Sequence, residues 1–167
     1  MALKQTSQPV AISFSISESA ANTFTQEQVD LTLSPLDNEV FVVLAVDLNV
    51  TAPEAITATR TAADMVVTKS SQTALQSLGN TNTVASIGRG LVTTATDSPA
   101  AFQHSSLDTP VAELPYVNII ATNNFFVGII GSNNTIAMSG SGRVWGYRAR
   151  ADAATYAALV QSEVLSA

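Results

Sequence analysis

The sequence predicts an all-β fold: an antiparallel β-sandwich of eight or nine strands with one short helix at the C-terminal end. Three observations predict it. Apolar and small polar residues alternate with a two-residue period through much of the chain, as half-buried strands do. Turn-forming residues punctuate these runs at frequent spacing. No amphipathic helix separates one strand from the next, as the crossovers of a parallel α/β fold would require. The 167 residues suit one domain, read as 1–167 with strands over about 9–150 and a helix over about 152–165.

Val10, Ile12, Phe14 and Ile16 alternate with serines and predict the first clear strand. Val29, Leu31 and Leu33 predict the second, stopped by Ser34-Pro35. Pro35-Leu36-Asp37-Asn38 is a turn, since Pro presets φ and Asp and Asn tolerate tight geometry. From Glu39 to Thr51 runs the strongest strand. Val40, Val42, Leu44, Val46, Leu48 and Val50 are expected to share one face, with Phe41 and Val43 making its start apolar on both. Such a strand belongs inside a layered structure.

The β-branched residues between Ile56 and Ser70 favour a strand, with Ala62–Met65 open to a short helical turn. Gln72–Leu78 is expected to be a turn or one or two helical turns. Val84–Ile87 and Leu91–Thr96 are two short strands, with Gly88-Arg89-Gly90 as their turn or bulge. The stretch from Asp97 to Leu114 is an irregular loop of the kind that carries interfaces. Tyr116–Thr122 and Phe125–Ile130 form strands joined by an Asn123-Asn124 hairpin turn. Thr135–Ala149 alternates again, Ile136 and Met138 sharing one face and Trp145 and Tyr147 another. Its Gly140 and Gly142 mark a bulge or a close backbone approach. Asp152 caps a helix whose apolar stripe is Tyr156, Leu159, Val160 and Val164.

Charged residues are only 12% of the chain, about half the usual share. Small neutral polar residues replace them, and a surface of that kind desolvates easily, as extensive protein contact demands. The formal charge is −6, and the seven basic residues are scattered. Affinity for a nucleic-acid backbone needs clustered cations, so direct nucleic-acid binding is not expected. Arg143, Arg148 and Arg150 are the one local group, read as a solvated or ion-paired strand end. Met1–Pro9 has no apolar core, so no secretory signal is expected, and no run is long enough for a membrane span.

Catalytic chemistry lacks parts. Without cysteine there is no thiol nucleophile, disulfide or thiolate metal site. His104 is the sole histidine, which excludes His-pair metal sites within one chain. Asp97 and Asp108 are near it in sequence, but no serine has a nucleophile-elbow glycine pattern. Asp37, Asn38 and Glu39 read as turn residues, without calcium-loop spacing. The chain is therefore expected to be no enzyme, with no catalytic residue, metal or cofactor. A sugar-binding module is the alternative of another class, with Trp145, Tyr147 and Tyr116 as stacking rings.

The combination of an unsecreted, cysteine-free, low-charge β-sandwich rich in Ser, Thr, Ala and Asn resembles the single jelly-roll capsid proteins of icosahedral viruses. The resemblance is architectural and covers about Pro9 to Arg150. It implies a jelly roll, eight antiparallel strands in two sheets, and a structural role in a virion as the major capsid (shell) protein. A decoration, tail or fibre subunit is the nearest alternative. Copies of the chain itself, with or without a second capsid protein, are the implied partners. Edge strands, loops and the C-terminal helix are the implied contacts, with Phe102, Tyr116, Trp145, Tyr156 and Leu159 as interface candidates. The chain departs from many such proteins in lacking a basic N-terminal arm. That points to particles whose genome is packaged by other proteins or lies behind an internal membrane.

Overall fold

The strands run in the order Leu3–Gln5 (β1), Val10–Ser17 (β2), Thr25–Asp30 (β3), Glu39–Val50 (β4), Arg60–Thr68 (β5), Thr83–Thr93 (β6), Pro99–Ser105 (β7), Asn118–Ile120 (β8), Asn124–Ser132 (β9) and Ser139–Ala151 (β10). A 3-10 turn spans Pro35–Asp37, and one helix, Ala153–Leu165 (α1), closes the chain. The structure, a computed structural model, describes residues 3–105 and 114–166. In one sheet β10 lies beside β4, and β4 beside β8, while β1 and β2 both pair with β10. The other sheet has the order β3-β9-β5-β6-β7.

Among the described residues every pairing is antiparallel, and four of them nest: β2 with β10, β3 with β9, β4 with β8, β5 with β6. The chain is thus one long hairpin wound into two facing sheets, a jelly roll with β1 and β7 added at edges. Ile16, Phe41, Val43, Met65, Ile87, Phe125, Ile129 and Val144 fill the space between the sheets. Phe14 meets Phe125 edge to face there, with ring centroids 5.8 Å apart.

A bulge decides how β4 is used. Trp145 faces Ala45 while Gly146 faces Val43, so Leu44 has no partner on β10. The extra residue reverses the alternation expected from sequence. Val40 and Val42 face outward to α1, whereas Phe41, Val43, Val46, Leu48 and Val50 face the core between the sheets. The doubly apolar start of this strand therefore meets a sheet on one side and a helix on the other.

Other elements differ from expectation for local reasons. β3 ends at Asp30, because its partner β9 begins at Asn124. Leu31 and Leu33 are still buried, but Thr32 between them is left-handed at φ 50°. Ala62–Met65 continues β5 without a helical turn, and Gln72–Leu78 forms bends rather than a helix. Gly88-Arg89-Gly90 is neither turn nor bulge but the middle of the single strand β6. Asn123-Asn124 joins strands of different sheets, so it is a corner and not a hairpin. Ile136 precedes β10 and is exposed, while Met138 is buried. The stretch expected to be irregular from Asp97 holds β7; Asp108 and Pro110 lie outside the described residues.

Candidate assembly surface

At one end of the sandwich, carboxylates and amides tie three connections together. Glu18 is buried, and its carboxylate accepts from the backbone N–H of Thr23 (3.0 Å), Gly131 (2.6 Å) and Met138 (2.7 Å). Asn22 and Asn134 exchange side-chain and backbone hydrogen bonds at 2.8 and 2.9 Å. Asn134 also accepts from Glu54 N–H and donates to Ala62 O. The exposed Glu54 carboxylate accepts from the Thr135 N–H and hydroxyl and from Ile136 N–H, which holds its pKa below the ordinary value. The loops after β2, β4 and β9 are thus tied to one another within the chain.

The outer face of the β1-β2-β10-β4-β8 sheet is divided. Asp152 caps α1 by accepting from Thr155 N–H at 2.8 Å, which also lowers its own pKa. The helix lays Tyr156, Leu159 and Val160 over Val40, Val42, Ile119, Ala149 and Ala151, with Leu3, Tyr116 and Tyr147 at the margins. Glu163 takes the place on the buried face that the apolar stripe assigned to Val164, which is exposed. Its carboxylate accepts from the backbone N–H of Ala121 and Thr122 at 2.8 and 3.1 Å. Three interface candidates, Tyr116, Tyr156 and Leu159, therefore come together in contacts within the chain.

The uncovered half of that face carries Ser13, Ser15, Asp47, Asn49 and Ser141, bordered by Trp145. Trp145 is half-buried, and the Arg143 guanidinium lies 5.5 Å from its ring centroid. Tyr147 and Tyr116 belong to the cluster at α1, so the three rings considered for sugar stacking do not form one open platform.

Phe102 lies across the molecule on β7. Its ring folds back over Gly90 on β6, where a Cβ would overlap it, and the Arg60 guanidinium sits 4.7 Å from its centroid. Beside it, His104 and Asp64 meet over Gly88. The two glycines exist to admit these side chains, a reason invisible to a local reading of the sequence. Asp64, His104, Ser86, Leu75 and Leu78 line a cleft of about 490 Å³. Burial raises the Asp64 pKa, and the neighbouring His104 and Arg60 offset part of that rise. Asp97, the other carboxylate considered for His104, is instead bonded by the Thr57 hydroxyl.

The arginine group divides its work. Arg150 pairs with Asp37 at 2.9 Å, and Arg148 lies 3.8 Å from Glu39 and donates to Leu31 O. Arg150 thus ties β10 to the Pro35–Asp37 turn, and Arg148 ties it to the start of β4 and to the segment after β3. Among the described residues no three His, Asp or Glu side chains gather as a metal site, and no helix is long and apolar enough to cross a membrane.

The strands at the sheet edges differ sharply: β1, which shares the outer side of β10 with β2, carries Lys4. β8 is three residues long, and β3 carries Glu27 and Asp30. The β2 and β7 edges are eight and seven residues long and carry no Lys, Arg, Asp or Glu. Long edges without charged side chains lack one of the devices that keep strands from pairing with other chains, although β7 begins at a proline, Pro99. Sequence reading found Phe102 but missed its strand, because Pro99-Ala100-Ala101 has no apolar alternation.

The chain matches no protein-family model and no curated protein. Among solved structures, a chain from Desmodium yellow mottle tymovirus superimposes with a TM-score of 0.31 at 12% identity, over 87% of this chain and 90% of that one. The strand order described above stands on this chain's own pairing.

Proposed function

We propose that this chain is a structural subunit of a virus particle, the major shell protein, and not an enzyme. The observation that carries the proposal is the pair of long edge strands without Lys, Arg, Asp or Glu, β2 and β7, beyond which no strand lies among the described residues. Backbone donors and acceptors along such edges are satisfied by another strand or by water, and only the first builds an assembly. The low charge of the chain supports the same reading, because little like-charge repulsion opposes close packing of copies. The carboxylate-tied loops supply rigid contacts at one end of each subunit. Copies of the chain are the principal partners, and nucleic acid is not bound directly. A decoration subunit would share these features, but its assembly would depend on a pre-existing particle.

Light scattering of the untagged chain over a concentration and salt series tests the proposal. Discrete large assemblies in the absence of other components support a shell protein. Assembly only upon addition of a second particle component would move the reading to a decoration role.

A further inference from the structure

We propose that β7 is a self-pairing edge, which joins two copies of this chain across a two-fold axis at Phe102 into one continuous sheet. The inference rests on the assembly reading and names the contact through which it acts.

The direction of each backbone group follows from the ladder. Thr93 N–H bonds Thr59 O on the β5 side, whereas Thr94 N–H bonds Ser98 O on the β7 side. Alternation along β6 then places the bonds between β6 and β7 at Val92–Ala100, Gly90–Phe102 and Gly88–His104. The N–H and C=O of Ala101 and Gln103 point the other way, off the sheet. Among the described residues no strand lies beyond them.

That edge is unusually bare. Phe102 is drawn back over Gly90, and His104 over Gly88. Gln103 is held toward β6 by Arg89 Nε, which donates to its Oε1 at 3.1 Å. All three long side chains of the strand thus lean inward, and backbone faces solvent along the rim. Pro99 sits at an outward-facing position, where its missing N–H removes no bond to β6.

Symmetry identifies the occupant. The outward groups of Ala101 and Gln103 flank Phe102 evenly. With a two-fold at Phe102, Ala101 of one copy faces Gln103 of the other, and the reverse. Each such pair exchanges N–H and C=O bonds, an isologous contact. The strand carries no Lys, Arg, Asp or Glu, so it meets itself without like-charge repulsion.

Ala101→Pro is the test, because it removes an outward donor while sparing every bond to β6. Sedimentation of the wild-type chain and this variant, with circular dichroism as the check on folding, should show self-association weakened at least about tenfold. Hydrogen exchange on the wild-type chain gives a second readout that needs no variant. The amides of Ala101 and Gln103 should become protected as concentration rises. Unchanged association of a folded Ala101→Pro chain, or fast exchange of both amides in the associated state, overturns the pairing and leaves the shell reading standing. A wild-type chain that stays monomeric overturns both.

Discussion

Glu18 Oε1 accepts the backbone N–H of Gly131 at 2.6 Å, joining the end of β2 to a strand of the opposite sheet. The other carboxylate oxygen accepts from Met138, so one buried side chain ties both approaches to β10. Glu18→Ala would strand three backbone donors and cost about 3 kcal/mol; Glu18→Gln would cost about 2, since its amide nitrogen faces donors. Urea denaturation of both variants checks the order. Equal stability to wild type would mean that water replaces the carboxylate freely.

The Phe102 ring occupies the space that a side chain at Gly90 would need. Gly90→Ala should displace the Phe102 ring and destabilise the chain by about 1 kcal/mol, the low end of overpacking costs, because Phe102 is exposed and its ring can shift. Adding Phe102→Ala should recover much of that loss. A double-mutant cycle measures the coupling, and additive losses would show that the ring moves aside at no cost.

Asp64 supplies the pH dependence. Burial raises its folded pKa above the ordinary 3.8, so the folded state binds its proton more tightly than the unfolded state does. The stability it contributes is fully present below 3.8 and is lost as pH rises through the folded pKa. Asp64→Asn should therefore match wild type in acid and exceed it near neutrality. Midpoints of thermal unfolding across a pH series check this; a constant difference at all pH values would remove Asp64 as the source. The lowered pKa of Glu54 works in the opposite sense, its contribution being lost as pH falls.

Thr93 Oγ1 is buried without a hydrogen-bond partner. Thr93→Val keeps the shape of the side chain and removes the unpaired oxygen. It should stabilise the chain by about 1 kcal/mol. A lower denaturation midpoint would show that the hydroxyl has a partner, such as an ordered water.

Strands with clean alternation were legible in the sequence: Ile12, Phe14 and Ile16 point inward as the two-residue period requires. The Asp152 cap and most of the helix stripe were legible too, because helical spacing is local. The bulge at Leu44 was not, since its cause lies on β10. Nor were Gly88 and Gly90, whose neighbours Asp64, His104 and Phe102 are distant or irregular in sequence. Glu163 shows the same limit in reverse. A charge on an apolar stripe reads as solvent-facing until the backbone donors of Ala121 and Thr122 are placed opposite it. Of the interface candidates, Phe102 stands on an open edge, whereas Tyr116, Tyr156 and Leu159 are engaged by their own sheet.

Negative-stain electron microscopy of the untagged chain, concentrated at near-neutral pH, tests the central claim most directly. The account predicts closed shells or uniform curved sheets built from repeating subunits. Fields of separate 17.4 kDa monomers at every concentration and salt would contradict self-assembly by this chain.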